Sequence, residues 1–201
     1  FEQTYEDIEY VFVDDCTQDN SVAVLQETIK DYPDRIPQLR LCQHETNRGS
    51  GAARLTGMQN ATGELVMFVD SDDYIDSECV EKLVARQEET GTDIVDSAYA
   101  TFSDEKVLST THPWMGGKEE SYLRSILIHN TVTHQLWARI IRRSLFEEAG
   151  VSFIEGIDHG EDYSVMARLL LTAKRDIIDD VLYYYRYNDY GTFADGISKR
   201  H

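Results

Sequence analysis

Residues 64–73 read Glu64-Leu65-Val66-Met67-Phe68-Val69-Asp70-Ser71-Asp72-Asp73. An unbroken apolar run of strand length predicts a buried strand over residues 64–69. It ends abruptly in three carboxylates within four residues. In open α/β sheets, ligands bind in the crevice beyond the carboxyl ends of the strands. Carboxylates packed this closely repel one another unless positive charge sits among them. Hard divalent cations such as Mg²⁺ or Mn²⁺ take carboxylate oxygens and leave positions open for phosphate. A metal held here could bridge a diphosphate and stabilise it as a leaving group. The alternative is a solvated acidic turn in which Asp73 or Asp76 caps the following helix.

Upstream, residues 8–13 read as a buried strand ending in Asp14-Asp15. Val22, Leu25, Ile29 and Tyr32 then form one helical stripe that Pro33 stops. Residues 39–42 read as a short strand and residues 47–61 as a helix. Downstream, Val80, Leu83 and Val84 mark a further helix and residues 93–99 a further strand. This alternation predicts an α/β/α sandwich with a mostly parallel sheet. Right-handed crossovers would place its strand C-termini on one edge. From about residue 102 the alternation weakens. Residues 111–117 read as a loop, 122–129 as a helix and 136–141 as a strand. Tyr163, Met166, Ala167 and Leu170 give a second helical stripe, and residues 177–187 carry one or two strands. The expected division is a donor-binding half over residues 1–101 and a looser acceptor-side half over residues 102–201.

Bulk properties narrow the function. The 201 residues carry 37 acidic and 19 basic side chains, a net charge of −18. So acidic a surface disfavours nucleic acid, whose phosphates require clustered Lys and Arg. It also disfavours broad docking on anionic lipid, although a local basic patch could still dock there. Arg139, Arg142 and Arg143 are the one such cluster in the interior of the sequence. Cys16, Cys42 and Cys79 are odd in number and widely spaced, which reads as reduced thiols of a cytoplasmic protein rather than a disulfide framework. No apolar run approaches the ~20 residues needed to span a bilayer.

Three further segments carry chemistry. Asp14-Asp15 should share the sheet edge with Asp70; one carboxylate there could accept a hydrogen bond from a base ring, or both could serve Asx-turn chemistry. Asn47-Arg48-Gly49-Ser50-Gly51-Ala52-Ala53-Arg54 opens a helix with small residues, where backbone can approach closely and anions are attracted. Arg48 or Arg54 could pair with phosphate there. The segment nearly matches the dinucleotide fingerprint, with Arg54 where the third glycine would stand, so an NAD(P)-dependent oxidoreductase is a rival reading. Glu161-Asp162 begins the late helical stripe, where the macrodipole favours ionised carboxylates. Adjacent helical residues point about 100° apart, so one of the two is expected to face the cleft.

Together these segments resemble glycosyltransferase family 2, the inverting enzymes of the GT-A fold. Val13-Asp14-Asp15 with Thr17, Asp19, Asn20 and Ser21 is similar to the family's first acidic motif. Asn47-Arg48-Gly49 through Arg54, then Gly57 and Ala61-Thr62-Gly63-Glu64, resembles its central helix. Phe68-Val69-Asp70-Ser71-Asp72-Asp73 resembles its Asp-x-Asp segment, Glu161-Asp162 its catalytic acidic pair, and Leu182-Tyr183-Tyr184-Tyr185-Arg186 its late tyrosine-rich strand. Cys16-Thr17-Gln18 departs from the usual Gly-Ser-Thr. The family's first strand, with its Pro-x-Tyr-Asn turn, would precede Phe1, so a further strand is expected ahead of this sequence.

The resemblance implies transfer of a sugar from a nucleoside diphosphate sugar, UDP-linked by preference, to a hydroxyl. It implies Mn²⁺ or Mg²⁺ as cofactor, with Asp72 and Asp70 at the metal. Asp14, Asp15, Asn47, Arg54, Asp70 and Ser71 would bind the nucleotide sugar, and Asp162, with Glu161 beside it, would be the catalytic base. By analogy the acceptor is a growing cell-surface glycan or a lipid-linked sugar, compatible with peripheral association at the inner face of the membrane. The absence of a Gln-x-x-Arg-Trp motif favours transfer of a single sugar. A sugar nucleotidyltransferase and a non-catalytic nucleotide-sugar binding module are two more rival readings.

Overall fold

Neighbouring residues of two central strands bury opposite faces, and this sets the layers. In β5 (Ile94–Ser103), Ile94 joins one core and Val95 the other; in β7 (Arg139–Arg142), Ile141 and Ile140 divide the same way. That is the period-2 geometry of a strand covered on both sides. On one face, α4 (Ser144–Glu148) and α5 (Glu161–Leu169) supply Leu145, Phe146, Val165, Met166 and Leu169. On the other, α3 (Cys79–Thr90) supplies Cys79, Leu83 and Val84. The computed structural model describes residues 1–104, 106–113, 134–157 and 160–187; the expected helix over 122–129 and most of the expected loop over 111–117 lie outside these.

Among the described residues the strands form two sheets. β1 (Tyr10–Asp14) pairs in parallel with β2 (Leu39–Gln43). The larger sheet runs β3 (Leu65–Val66), β7, β5, β8 (Arg175–Arg186), β4 (Tyr74–Ile75), with β6 (Lys106–Thr111) also paired to β5. The expected α/β sandwich is present, but its sheet is mixed rather than mostly parallel. Among the described strands only β1–β2 and β5–β8 are parallel, because the β5–β6 hairpin, the insertion of β7 between β3 and β5, and β4 beside β8 bring in antiparallel neighbours.

The strand expected over residues 64–69 has ladder partners at Leu65 and Val66 alone. Two of the side chains beyond the ladder are nonetheless packed, Met67 against the α3 face and Phe68 against Phe146 and Phe153, while Val69 is exposed. Hydrophobicity reports burial, whereas a ladder also needs a neighbouring backbone. The stripe of Val22, Leu25, Ile29 and Tyr32 does face inward, although α1 (Ser21–Thr28) passes into 3-10 turns before Pro33. The Arg139, Arg142 and Arg143 cluster is not a basic patch. Arg139 is buried beside Asp96, Arg142 is paired with Asp93 and Glu148, and Arg143 donates to the carbonyls of Gly63 and Thr62.

The glycines before Arg54 have structural work. Gly49 adopts φ +85°, a left-handed conformation at the start of α2 (Ser50–Asn60). A Cβ on Gly51 would lie 2.6 Å from the Ile154 carbonyl oxygen and 2.9 Å from that of Ile157. The close backbone approach expected here is therefore made by the chain itself. Gly51→Ala should destabilise the protein by about 1–3 kcal/mol, the usual scale of overpacking against backbone that cannot yield; an unchanged urea midpoint would show that the 154–157 segment moves freely away.

Candidate functional site

Arg54 lies on α2, one turn in from Gly51, and its guanidinium gathers three carboxylates from distant parts of the chain. Its Nη1 donates to Glu161 Oε1 at 2.5 Å and to Asp162 Oδ1 at 2.6 Å, and its Nη2 to Asp70 Oδ1 at 3.2 Å. Ser50 adds a hydrogen bond to Glu161 at 2.8 Å. Glu161 and Asp162 begin α5 after Gly160, which turns the chain at φ +81°. The helix start and the end of the β3 segment thus meet across one cation. Both acids of the pair reach Arg54, contrary to the expectation that helical geometry would send only one inward.

Burial governs the proton equilibria. Desolvation pushes the Asp162 carboxyl up to about 6; Arg54 opposes this, while Glu161 and Asp70 add repulsion. The helix N-terminus was expected to favour the ionised form, but a dipole end is outweighed when water is withdrawn and two acids crowd the group. Asp70 is raised in the same way, by burial first and by Asp72 and Glu161 next, with Arg54 opposing. Burial disfavours the charge on Arg54, yet Asp162, Asp70 and Glu161 together hold its guanidinium above the ordinary arginine value.

A second set of contacts fixes the acidic loop. The Tyr183 hydroxyl donates to Asp73 Oδ2 at 2.6 Å and accepts the Asp70 N–H at 3.1 Å. The Arg186 N–H donates to Asp73 Oδ1 at 2.7 Å, and its Nε donates to the Asp72 carbonyl at 2.9 Å. Asp73 therefore ties the loop to β8 rather than capping α3; Asp76 accepts the Glu78 N–H in a turn ahead of the helix, whose N-cap Glu78 makes no side-chain cap bond. Tyr183 is fully buried, with its ring stacked on Trp137 at 4.8 Å. Its role is not apparent in the tyrosine run, because Tyr183 and Tyr185 share a face of β8, both stacked on Trp137, and residue order does not say which hydroxyl meets Asp73.

Asp14 and Asp15 sit at the end of β1. Asp14 accepts the Thr17 N–H, three residues on, at 2.8 Å. Asp15 accepts the backbone N–H groups of Arg48 and Gly49 and lies 2.6 Å from His44 Nδ1. Asn47 Nδ2 donates to the Asp15 carbonyl at 3.2 Å. These bonds join the β1 loop to the start of α2. Arg48 pairs with Glu155 through both ends of its guanidinium. Cys16, where the resembling pattern has glycine, adopts φ +61°. Ser71 and Asp72 are exposed, and among the described residues nothing hydrogen-bonds the Asp72 carboxylate.

No group of three or more His, Cys, Asp or Glu side chains is arranged to hold a metal ion among the described residues. A Mg²⁺-type ion is compatible with less, since it commonly takes one or two carboxylates, waters and substrate phosphates. The unengaged Asp72, two residues from Asp70, fits that donor set. No helix among the described residues is long and apolar enough to cross a membrane.

The sequence profile of glycosyl transferase family 2 matches residues 1–150. The glycosyltransferase EpsJ of Bacillus subtilis is 31% identical, over 92% of this chain and 54% of its own. The poly(ribitol-phosphate) β-N-acetylglucosaminyltransferase TarS of Staphylococcus aureus is 28% identical, over 89% of this chain and 30% of its own. The crystal structure of residues 1–349 of TarS with UDP-GlcNAc matches at a TM-score of 0.76 and 27% identity, covering 96% of this chain and 54% of that one. This chain therefore spans about half the length of EpsJ and of that crystallised TarS fragment.

The Asp162 environment makes a prediction about stability. Its folded pKa of about 6 lies above the unfolded carboxylate value, so the folded state holds the extra proton as pH rises from about 4 to about 6. Over that window Asp162 withdraws on the order of 1–3 kcal/mol of stability. In EDTA, the stability of wild type minus that of Asp162→Asn should fall from pH 4 to pH 6 and level off above pH 7. A difference that grows with pH would place the folded pKa below the ordinary value.

Proposed function

Because the chain belongs to glycosyltransferase family 2, we propose that it moves a sugar from a UDP-sugar to a hydroxyl acceptor with inversion, in synthesis of a cell-surface polysaccharide or glycolipid. The observation that carries this is the meeting of Asp70, Glu161 and Asp162 on Arg54 at the end of the β3 segment. TarS, a relative by sequence and by fold, has been crystallised with UDP and with UDP-GlcNAc, which supports a UDP-linked donor.

In this reading Asp162 is the base. A sugar hydroxyl is a poor nucleophile at neutral pH, so a carboxylate takes its proton as its oxygen bonds to the anomeric carbon and the bond to the diphosphate breaks. A pKa of about 6 leaves Asp162 mostly ionised at pH 7 yet basic enough to accept that proton. Arg54 holds Asp162 in place and keeps its charge tolerable in a dry site; Glu161, bonded to both Ser50 and Arg54, is the strut of the pair. Asp72 with Asp70 would hold Mn²⁺ or Mg²⁺, which when bound supplies positive charge to the leaving diphosphate. Asp14, Asp15 and Asn47 would meet the nucleoside from the neighbouring loop, with Ser71 beside the metal pair. The glycines on which a dinucleotide site would depend are occupied in chain-to-chain contact and turn geometry, so the oxidoreductase reading gains no support.

Asp72→Ala should lose Mn²⁺-dependent UDP binding by calorimetry while folding normally. Asp162→Asn should bind UDP as wild type does and release UDP from UDP-GlcNAc about 10²-fold more slowly. Wild-type kcat/KM should rise with pH through about 6, as the base loses its proton, and then level off. Stabilisation by NAD but not by UDP with Mn²⁺, or near-normal turnover of Asp162→Asn, would overturn these assignments.

A further inference from the structure

The mechanism leaves unused a groove beside the acidic loop, lined by Tyr74, Phe102, Asp104 and Arg186, with a volume of about 700 Å³. Its aromatic wall is rigid. Tyr74 on β4 lies directly across from Tyr184 on β8, and their rings stack at 4.5 Å with planes 6° apart. Phe102 and Tyr74 meet in a T-shaped contact, with centroids 4.9 Å apart and planes at 67°. Tyr74 is nonetheless 46% exposed. The polar groups are of opposite kinds. Asp104, in the turn between β5 and β6, can only accept when ionised, and Arg186 can only donate. The Arg186 guanidinium is fixed over the Phe102 ring at 4.8 Å and through Nε to the Asp72 carbonyl. Among the described residues its terminal N–H groups and the Asp104 carboxylate have no partner.

We propose that this groove is an acceptor subsite that holds one sugar ring of a neutral glycan, apart from the hydroxyl that reacts. The proposal rests on the glycosyl-transfer reading above and adds to it the class of acceptor. A pyranose presents an apolar C–H face, which an immobilised aromatic ring covers without ordering cost, and a rim of hydroxyls that each donate and accept. A carboxylate and a held guanidinium at the edge of an aromatic wall match that rim. Within the groove Asp104 balances Arg186, so the exposed Asp72 carboxylate beside it and the −18 of the whole chain tip the surroundings toward neutral over anionic sugars. Position ties the groove to the reaction: Tyr74 directly follows Asp73, and Arg186 bonds both Asp72 and Asp73.

The test measures binding of cellotriose and chitotriose, with ribitol 5-phosphate as the anionic comparison, by saturation-transfer NMR and calorimetry. UDP with Mn²⁺ is titrated separately, so that donor and acceptor sites are read independently. Wild type should bind at least one of the neutral trisaccharides and bind ribitol 5-phosphate at least 10-fold more weakly. Tyr74→Ala should weaken trisaccharide affinity at least 10-fold, with UDP affinity within 2-fold of wild type, and Tyr74→Phe should restore it. Asp104→Gly, which the turn accepts because Asp104 already has φ +47°, should weaken trisaccharide binding without touching Tyr74 or its strand. Failure of wild type to bind either trisaccharide, tighter binding of ribitol 5-phosphate, or wild-type trisaccharide affinity in both Tyr74→Ala and Asp104→Gly would overturn the subsite. Failure to bind UDP with or without Mn²⁺, with trisaccharide binding intact and sensitive to Tyr74, would overturn the donor reading and leave the subsite standing.

Discussion

Arg54 carries a single positive charge that Asp70, Glu161 and Asp162 share, and most of the site is arranged around it. Withdrawing three carboxylates and a guanidinium from water is costly, and their mutual attraction offsets that cost only where geometry and additional hydrogen bonds are good. The close passage of Gly51 under the 154–157 backbone provides the geometry, since it seats α2 against the segment leading to α5. Ser50, one residue earlier, supplies an additional bond to Glu161. The balance is incomplete: burial first, and then three acids against one cation, leave Asp162 and Asp70 with raised pKa values. A site with surplus negative charge is suited to receive a cation along with its substrate.

The acidic loop is held independently from the opposite side. Tyr183 and Arg186 of β8 take up Asp73 and the backbone of Asp70 and Asp72, which leaves the Asp72 carboxylate unengaged. Within one short loop, Asp70 answers to Arg54, Asp73 to β8, and Asp72 faces solvent. The buried group of Asp96, Arg139 and Arg175 lies in the strands beneath, and Arg139 also feels the charge of Asp162. Changes in that buried group should therefore be transmitted to the base as well as to stability.

Much of this was readable from residue order. An apolar run ending in carboxylates located Asp70 and Asp72, and a helical stripe beginning in Glu161-Asp162 located the second acidic pair. Arg54 was identified as a cationic group, but sequence spacing reads partners within a few residues, whereas its partners stand 16, 107 and 108 positions away. The mixed sheet was hidden for a related reason: apolar runs report burial, and strand direction depends on which distant segment inserts alongside, here β7. The Arg139, Arg142 and Arg143 cluster misled because composition counts charges without their partners. Tyr183 was hidden among equals, since period-2 alternation assigns faces only once the register with β5 is known.

The central claim is that Arg54 couples energetically to an acid more than a hundred residues away. A double-mutant cycle on unfolding free energy at pH 7, in EDTA, measures this directly with Arg54→Met, Asp162→Asn and the double variant. The expected coupling between the two sites is about 1–3 kcal/mol. Additivity within about 0.5 kcal/mol would contradict it, since residues that share no interaction add within that margin.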